Sequence, residues 1–181
     1  MGALFELRVL APLVAAPNRL IEYQPLVGDG NRRTEALVAV AGHELYVEAT
    51  IFTRQDTSYL QRSAFWFDPA EQQAQEGAAL RNKILEKALQ CEGAGKPVLL
   101  FVAEGMVTTG LTFGRDPRHW AMAHLLPRGG APSVSAAVFC KDVRCLCVEM
   151  HTNPHARLPI HANAIAWIDQ RCRNAWRMSG S

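Results

Sequence analysis

The sequence predicts an α/β domain with a mixed central β-sheet flanked by helices. Two strand-like stretches, "TEALVAV" at 34–40 and "ELYVEATIF" at 44–52, are joined by the short link "AGH". This pattern is typical of an antiparallel hairpin. Farther along, the apolar run "KPVLLFVAEG" at 96–105 follows a long helical pattern. A continuous apolar strand after a helix indicates a strand that is covered on both faces and joined to the hairpin by a parallel β-α-β crossover. Because the hairpin is antiparallel and the crossover parallel, the sheet should be mixed.

The composition is that of one packed domain, which we expect to span residues 1–178 with a frayed tail at 179–181. Hydrophobic residues make up 49% of the chain and charged residues 20%, and no apolar run approaches the length of a membrane span. The five cysteines are an odd number without a small-scaffold spacing, so a cytoplasmic, reducing location is expected. A net charge of +2 is too small to favour nucleic-acid binding by bulk electrostatics.

Turn and capping signals define the other elements. A first strand ends at the turn "GDGN", and Asp68, Pro69 and Glu71 have the pattern of a helix start that leads to about Cys91. A second Asp-Pro pair at 116–117 predicts another helix, before a second hairpin and a closing amphipathic helix. The predicted order is β, β, β, α, β, α, β, β, α, at 18–27, 34–40, 44–52, 69–91, 96–105, 116–126, 132–140, 144–151 and 159–176.

The periodicity of strands and helices predicts which face of its element each candidate side chain occupies. Because the strand period is two, Glu48 and Thr50 share one face of the strand 44–52. On the first predicted helix, residues at spacings of four, four and three form the buried stripe: Leu80, Ile84, Ala88 and Cys91. Lys87 lies only about 20° around the helix from Leu80, so its ammonium could reach past the edge of the core toward the sheet.

This element order and its acidic residues resemble the PD-(D/E)XK, or restriction-endonuclease-like, superfamily, and in particular small bacterial members with a Lys…Gln helix after the core hairpin. In that superfamily an acid on one hairpin strand and an E-x-K on the next hold one or two divalent ions that activate water for phosphodiester cleavage. The resemblance implies that Glu35 in "TEALV" and Glu48 in "EAT" are ligands of Mg²⁺, with Mn²⁺ as a substitute and Glu22 as an extra ligand. DNA or RNA would be the substrate.

The sequence departs from the superfamily pattern at two positions. The first acid is Glu35 where aspartate is usual, and Thr50 stands where E-x-K has its lysine. In several branches that lysine migrates to the following helix, where Lys87 or Lys83 would replace it, with Gln90 alongside. We favour Lys87, because it is nearer the buried stripe. The segment "HTNPHARLPI" at 151–160 is similar to the Asn-Pro-x-Ala segment after the last strand in some of these families.

Each candidate also has a simpler interpretation. Glu35 and Glu48 would be solvated residues on the exposed face of an antiparallel strand, and helix lysines are most often solvated. The corresponding alternative function is a catalytically inactive module for protein association or nucleic-acid binding, and a second copy of the chain is a candidate partner. A zinc site from Cys145, Cys147 and the nearby histidines is less favoured than buried cysteines, because paired C-x-x-C hooks are lacking.

Overall fold

The computed structural model describes residues 2–28, 32–52, 69–104, 130–140 and 147–178. In chain order, the elements in these ranges are α1 (Gly2–Val14), β1 (Arg19–Tyr23), β2 (Leu26–Val27), β3 (Arg32–Arg33), β4 (Ala36–Val40), β5 (His43–Phe52), α2 (Pro69–Gln90), β6 (Val98–Glu104), β7 (Ala136–Cys140), β8 (Cys147–Thr152) and α3 (Ala162–Met178). The predicted helix at 116–126, the cap residue Asp68 and the tail at 179–181 lie outside the described residues.

The main sheet is mixed, with the strand order β1-β4-β5-β6-β7-β8. β4 and β5 form the predicted antiparallel hairpin, and Ala41 and Gly42 turn the chain with positive φ angles of 48° and 80°. β5 pairs in parallel with β6, and β6 with β7, whereas the outer pairs are antiparallel. The predicted fold class, a mixed sheet flanked by helices, is confirmed, and it is consistent with a restriction-endonuclease-like arrangement.

Helices cover both faces of the sheet, and each face has its own hydrophobic core. On one face, Phe5 and Val9 of α1 pack together with Ile168 of α3 against the central strands. On the other, Leu80, Ile84 and Ala88 of α2 pack against β6 and β7. These three residues and Cys91, which follows the helix directly, are all at most 5% exposed. Burying one such aliphatic side chain contributes about 1.5–3 kcal/mol. The stripe therefore fixes the rotation of α2 about its own axis.

Two parts of the chain differ from the predicted element order. The N-terminal helix α1 was not predicted, because Glu6, Arg8 and Pro12 interrupt its apolar residues. The predicted strand at 18–27 was wrong as one element: it breaks at Gln24, where φ is 51°, and β2 then pairs with β3 in a small separate hairpin.

Candidate functional site

Glu48 is a buried carboxylate in the middle of β5. In the parallel ladder it lies beside Leu100, and Thr50 lies beside Val102. Leu100 and Val102 both belong to the core under α2, so Glu48 and Thr50 face that helix, as their shared phase predicts. Glu48 is only 1% exposed, so the interpretation of this residue as part of a solvated strand face is wrong.

Lys87 of α2 reaches Glu48 across 39 residues of chain. Its Nζ lies 2.5 Å from Glu48 Oε1, in a hydrogen-bonded ion pair. The C-terminal turn of α2, which begins at this lysine, is fixed by hydrogen bonds. Ser133 donates a hydrogen bond to the carbonyl of Ala88 at 2.5 Å, and the Cys91 N–H donates to the carbonyl of Lys87 at 3.1 Å. The direction of Lys87 thus follows from the buried stripe beside it.

The second oxygen of Glu48, Oε2, is in a different environment from Oε1. Within the part of the chain that the structure describes, Oε2 is buried without a hydrogen-bond partner. Burial raises the pKa of Glu48 above its ordinary value, and the Lys87 ammonium opposes that rise. An acceptor buried without a partner costs about 1–3 kcal/mol. A cation at Oε2 would remove that cost.

Glu35 lies beside this pair, at a bend directly before β4. Its N–H donates to the Val47 carbonyl and its own carbonyl accepts from the Gln24 N–H, each at 3.0 Å, so the backbone is fixed from both sides. Burial raises the pKa of the Glu35 carboxyl to about 7, with further contributions from the charges of Glu48 and Glu6. Lys87 acts in the opposite direction. The Glu35 carboxyl is therefore close enough to Glu48 to be affected by its charge.

Glu6 of α1 is the member of this group that the sequence did not reveal. Its side chain hydrogen-bonds to that of Glu35 and adds to the rise in the pKa of Glu35. Two carboxyl groups can share a hydrogen bond only when one of them carries the proton. The available signal was the spacing of Phe5, Val9 and Leu13, which predicts a helix with Glu6 next to its buried stripe.

The remaining candidates lie outside the buried pair. Glu22 is exposed on β1, opposite Leu37. Lys83 forms an ion pair with Glu86 at 3.0 Å, one turn along the helix surface. Gln90 lines an open cleft at the end of α2. The structure therefore brings together Glu35, Glu48 and Lys87, and not the other three.

Cys91 is a buried cysteine close enough to Glu48 and Lys87 to be affected by their charges. Burial raises the pKa of the Cys91 thiol to about 12, and a thiol that stays protonated is a poor nucleophile. Cys145 lies outside the described residues. Among the described residues, no cluster of three or more His, Cys, Asp or Glu side chains has the arrangement of a metal-binding group.

The Asn-Pro segment after β8 has a packing role. Asn153 is buried, and its side-chain amide donates to the carbonyls of Ala131 and Val134 at 2.9 and 2.8 Å. Its Oδ1 accepts a hydrogen bond from the His155 N–H at 2.9 Å. This amide joins the loop before β7 to the loop after β8, so the segment stabilises the end of the sheet where β7 begins and β8 ends.

Comparisons with known proteins identify no family for this chain. No protein-family model matches the sequence, and no curated protein matches it. Among solved structures, the chain is similar to SfsA of Pyrococcus furiosus in complex with Ca²⁺, at 14% sequence identity and a TM-score of 0.30. The match covers 88% of this chain and 62% of that chain, so this protein corresponds to less than two thirds of SfsA. In the described ranges, no helix has the length and apolar character needed to span a membrane.

Proposed function

We propose that this protein is a Mg²⁺-dependent nuclease, in which Glu35 and Glu48 hold the metal ion and Lys87 polarises the scissile phosphate. The observation that carries the proposal is the buried Glu48 carboxylate. One of its oxygens is bound by Lys87, and the other has no partner in the described part of the chain. A purely structural ion pair has no need of a second, unsatisfied oxygen.

The residues present fit a magnesium ion. Mg²⁺ prefers oxygen ligands and usually takes one or two carboxylates, with water and substrate phosphates completing its octahedron. A pair of carboxylates is thus sufficient, and a closed cluster of three protein ligands is not required. Burial raises the pKa values of Glu35 and Glu48, and repulsion from a neighbouring carboxylate adds to each rise, from Glu48 and Glu6 at Glu35 and from Glu6 at Glu48. A divalent cation would relieve both effects.

Each side chain has a distinct role in this proposal. The chemistry that Mg²⁺ supplies at such sites is neutralisation of phosphate charge and activation of water. Lys87 has three N–H donors and uses one on Glu48, which leaves donors for a phosphate oxygen. Glu48 in turn holds the Lys87 ammonium in position. Lys87 would replace the lysine that E-x-K has at the position of Thr50.

The test is cleavage of plasmid DNA and of single-stranded RNA by the purified protein with Mg²⁺ or Mn²⁺. We expect Glu48→Gln to abolish cleavage and Lys87→Met to lower kcat by about 10²–10³, the usual effect of removing one transition-state donor. Lys96→Met is the matched control, because its ammonium pairs with Glu44 at 2.7 Å on the surface, outside α2. Cleavage that survives Glu48→Gln would show that the activity comes from a contaminant or another site.

A second measurement does not depend on turnover. Mn²⁺ binding, followed by electron paramagnetic resonance, should be lost in Glu48→Gln and weakened in Glu35→Gln. A protein that neither binds Mn²⁺ nor cleaves would instead be the inactive module. Thr50 is the observation that favours this alternative, since it lacks the charge of the usual lysine and is buried beside Val102.

A further inference from the structure

An open cleft lies at the C-terminal end of α2, on the exposed side of the helix. It has a volume of about 480 Å³ and is bounded by two arginines of the β2–β3 hairpin and by three residues of the last turns of α2: Arg32, Arg33, Glu86, Leu89 and Gln90. Gln90 lies three positions after Lys87 on α2, which is roughly 4.5 Å along the helix axis. The cleft therefore lies within one helical turn of Lys87 along the axis, although Lys87 itself turns toward Glu48 and the sheet.

The two arginines are exposed but already oriented. Arg32 donates a hydrogen bond to the carbonyl of Leu89, and Arg33 donates one to the carbonyl of Gln24 at 2.5 Å. A guanidinium carries five N–H donors in a rigid fork, so each arginine keeps donors for a ligand in the cleft. Because these anchors limit side-chain motion, less conformational entropy is lost when a ligand binds.

A close glycine contact fixes the β2–β3 hairpin against the turn that follows α2. A Cβ added at Gly28, where φ is +67°, would lie 2.6 Å from the carbonyl oxygen of Glu92, and one at Gly93 would lie 3.1 Å from the Cα of Gly28. No other residue type fits this approach without a backbone shift. Together with the hydrogen bond from Arg32 to the Leu89 carbonyl, this contact holds the β2–β3 hairpin close to the end of α2.

We infer that this cleft, which we call the arginine cleft, binds the phosphodiester backbone of a nucleic-acid strand. The inference rests on the proposed function for the class of ligand, and it adds the site that would hold the strand next to the scissile phosphate. Arg32 and Arg33 present forked donors that match phosphate oxygens, and Gln90 adds an amide on the helix side. Contacts of this kind position a strand without reading its sequence.

Glu86 is an acidic residue in the arginine cleft, and its removal tests whether the cleft binds a negatively charged ligand. It lines the cleft and pairs with Lys83 at 3.0 Å, so it places a carboxylate near the inferred path of the phosphates. Glu86→Gln would remove this repulsion and release the Lys83 ammonium. If the inference is correct, this change should tighten binding several-fold, which misfolding would not do.

The experiment measures binding without cleavage. Fluorescein-labelled single-stranded DNA, single-stranded RNA and duplex DNA are titrated with wild-type protein in EDTA at several salt concentrations, with anisotropy as the readout. For the double variant Arg32→Ala/Arg33→Ala, we expect Kd to rise at least about tenfold. The negative slope of the logarithm of the association constant against log salt should become shallower by roughly 1.4–1.8, which corresponds to the loss of two phosphate contacts. The three probes show which nucleic acid the cleft prefers.

The matched control is Arg19→Ala/Arg81→Ala, which removes the same charge from exposed positions elsewhere. Arg81 lies nine residues before Gln90, on the opposite side of α2 at 100° per residue. We expect less than a twofold change in Kd for this control. Arg32→Lys/Arg33→Lys should keep most of the salt slope, because both charges remain.

Equal losses in the cleft variant and the control, or an unchanged Kd in the cleft variant, would overturn the inference. Either result would leave the proposed nuclease activity standing if the protein cleaves and Glu48→Gln abolishes cleavage. Conversely, binding that depends on Arg32 and Arg33 in a protein without cleavage would retain the arginine cleft and refute the nuclease. The two proposals can thus fail separately.

Discussion

Replacing only one member of the buried Glu48–Lys87 pair should lower the free energy of unfolding strongly. Replacing both members by apolar residues should change it little. The side chains are only 2% and 16% exposed, and the two charged atoms lie 2.5 Å apart. Breaking such a buried pair from one side typically costs 3–5 kcal/mol, whereas replacing both partners by apolar groups is often neutral or stabilising. We therefore expect Lys87→Met to lose about 3–5 kcal/mol at pH 8, and Glu48→Leu/Lys87→Met to stay within about 1 kcal/mol of wild type.

The loss in Lys87→Met should depend on pH in a definite direction. Burial already raises the pKa of Glu48, and removing Lys87 takes away the charge that lowers it. A carboxyl whose pKa is raised on folding destabilises the folded protein above that pKa, and the effect disappears as pH falls toward the ordinary value. The deficit of Lys87→Met should therefore shrink between pH 8 and pH 5.

The assay is equilibrium unfolding in guanidinium chloride with EDTA, followed by far-ultraviolet circular dichroism at pH 5 and pH 8. Lys83→Met is the control and should lie within about 0.5 kcal/mol of wild type, because its ion pair is on the surface. The reasoning would be refuted if the double variant were more than about 2 kcal/mol less stable than wild type. That result would make the pair a stabilising feature of the core rather than one retained for function.

Two further predictions concern Glu35 and Asn153. The pKa of Glu35 is raised from 4.5 to about 7, so its charge should destabilise the folded protein increasingly between these pH values. In EDTA, the free energy of unfolding of Glu35→Gln should rise relative to wild type by roughly 1–2 kcal/mol between pH 4.5 and pH 8, after allowance for solvent screening at this half-buried carboxyl. A difference that does not change with pH would contradict a pKa raised by burial and charge repulsion. Asn153→Ala removes three hydrogen bonds and should cost about 2–4 kcal/mol in chemical unfolding, whereas exposed Asn163→Ala should cost under about 0.5 kcal/mol; equal costs would refute the packing role.

The parts of the fold that follow from local periodicity could be predicted from sequence. The hairpin of β4 and β5 follows from two apolar stretches and a short link with glycine. The stripe of α2 follows from the spacing of Leu80, Ile84 and Ala88, each of which is buried. Both signals are contained in short windows, so the surrounding structure had little to add to them.

The parts that failed depend on competition between local and distant contacts. In α1, Pro12 and the charged residues made the helix hard to recognise, yet Phe5 and Val9 bury it against the sheet. The strand predicted at 18–27 has good strand formers, but the positive φ at Gln24 divides it and creates the β2–β3 hairpin. No local pattern shows that this hairpin will lie against the end of α2.

For the candidate site, the sequence by itself determined the phase of Glu48 and Thr50 and the angle of Lys87 beside the buried stripe. Only the tertiary structure decided that Glu48 is buried, that Lys87 contacts it from 39 residues away, and that Glu6 reaches Glu35 from α1. The physical reason is that periodicity fixes which side of an element a residue occupies. Whether that side meets water, another charge or a packed helix depends on how distant elements assemble.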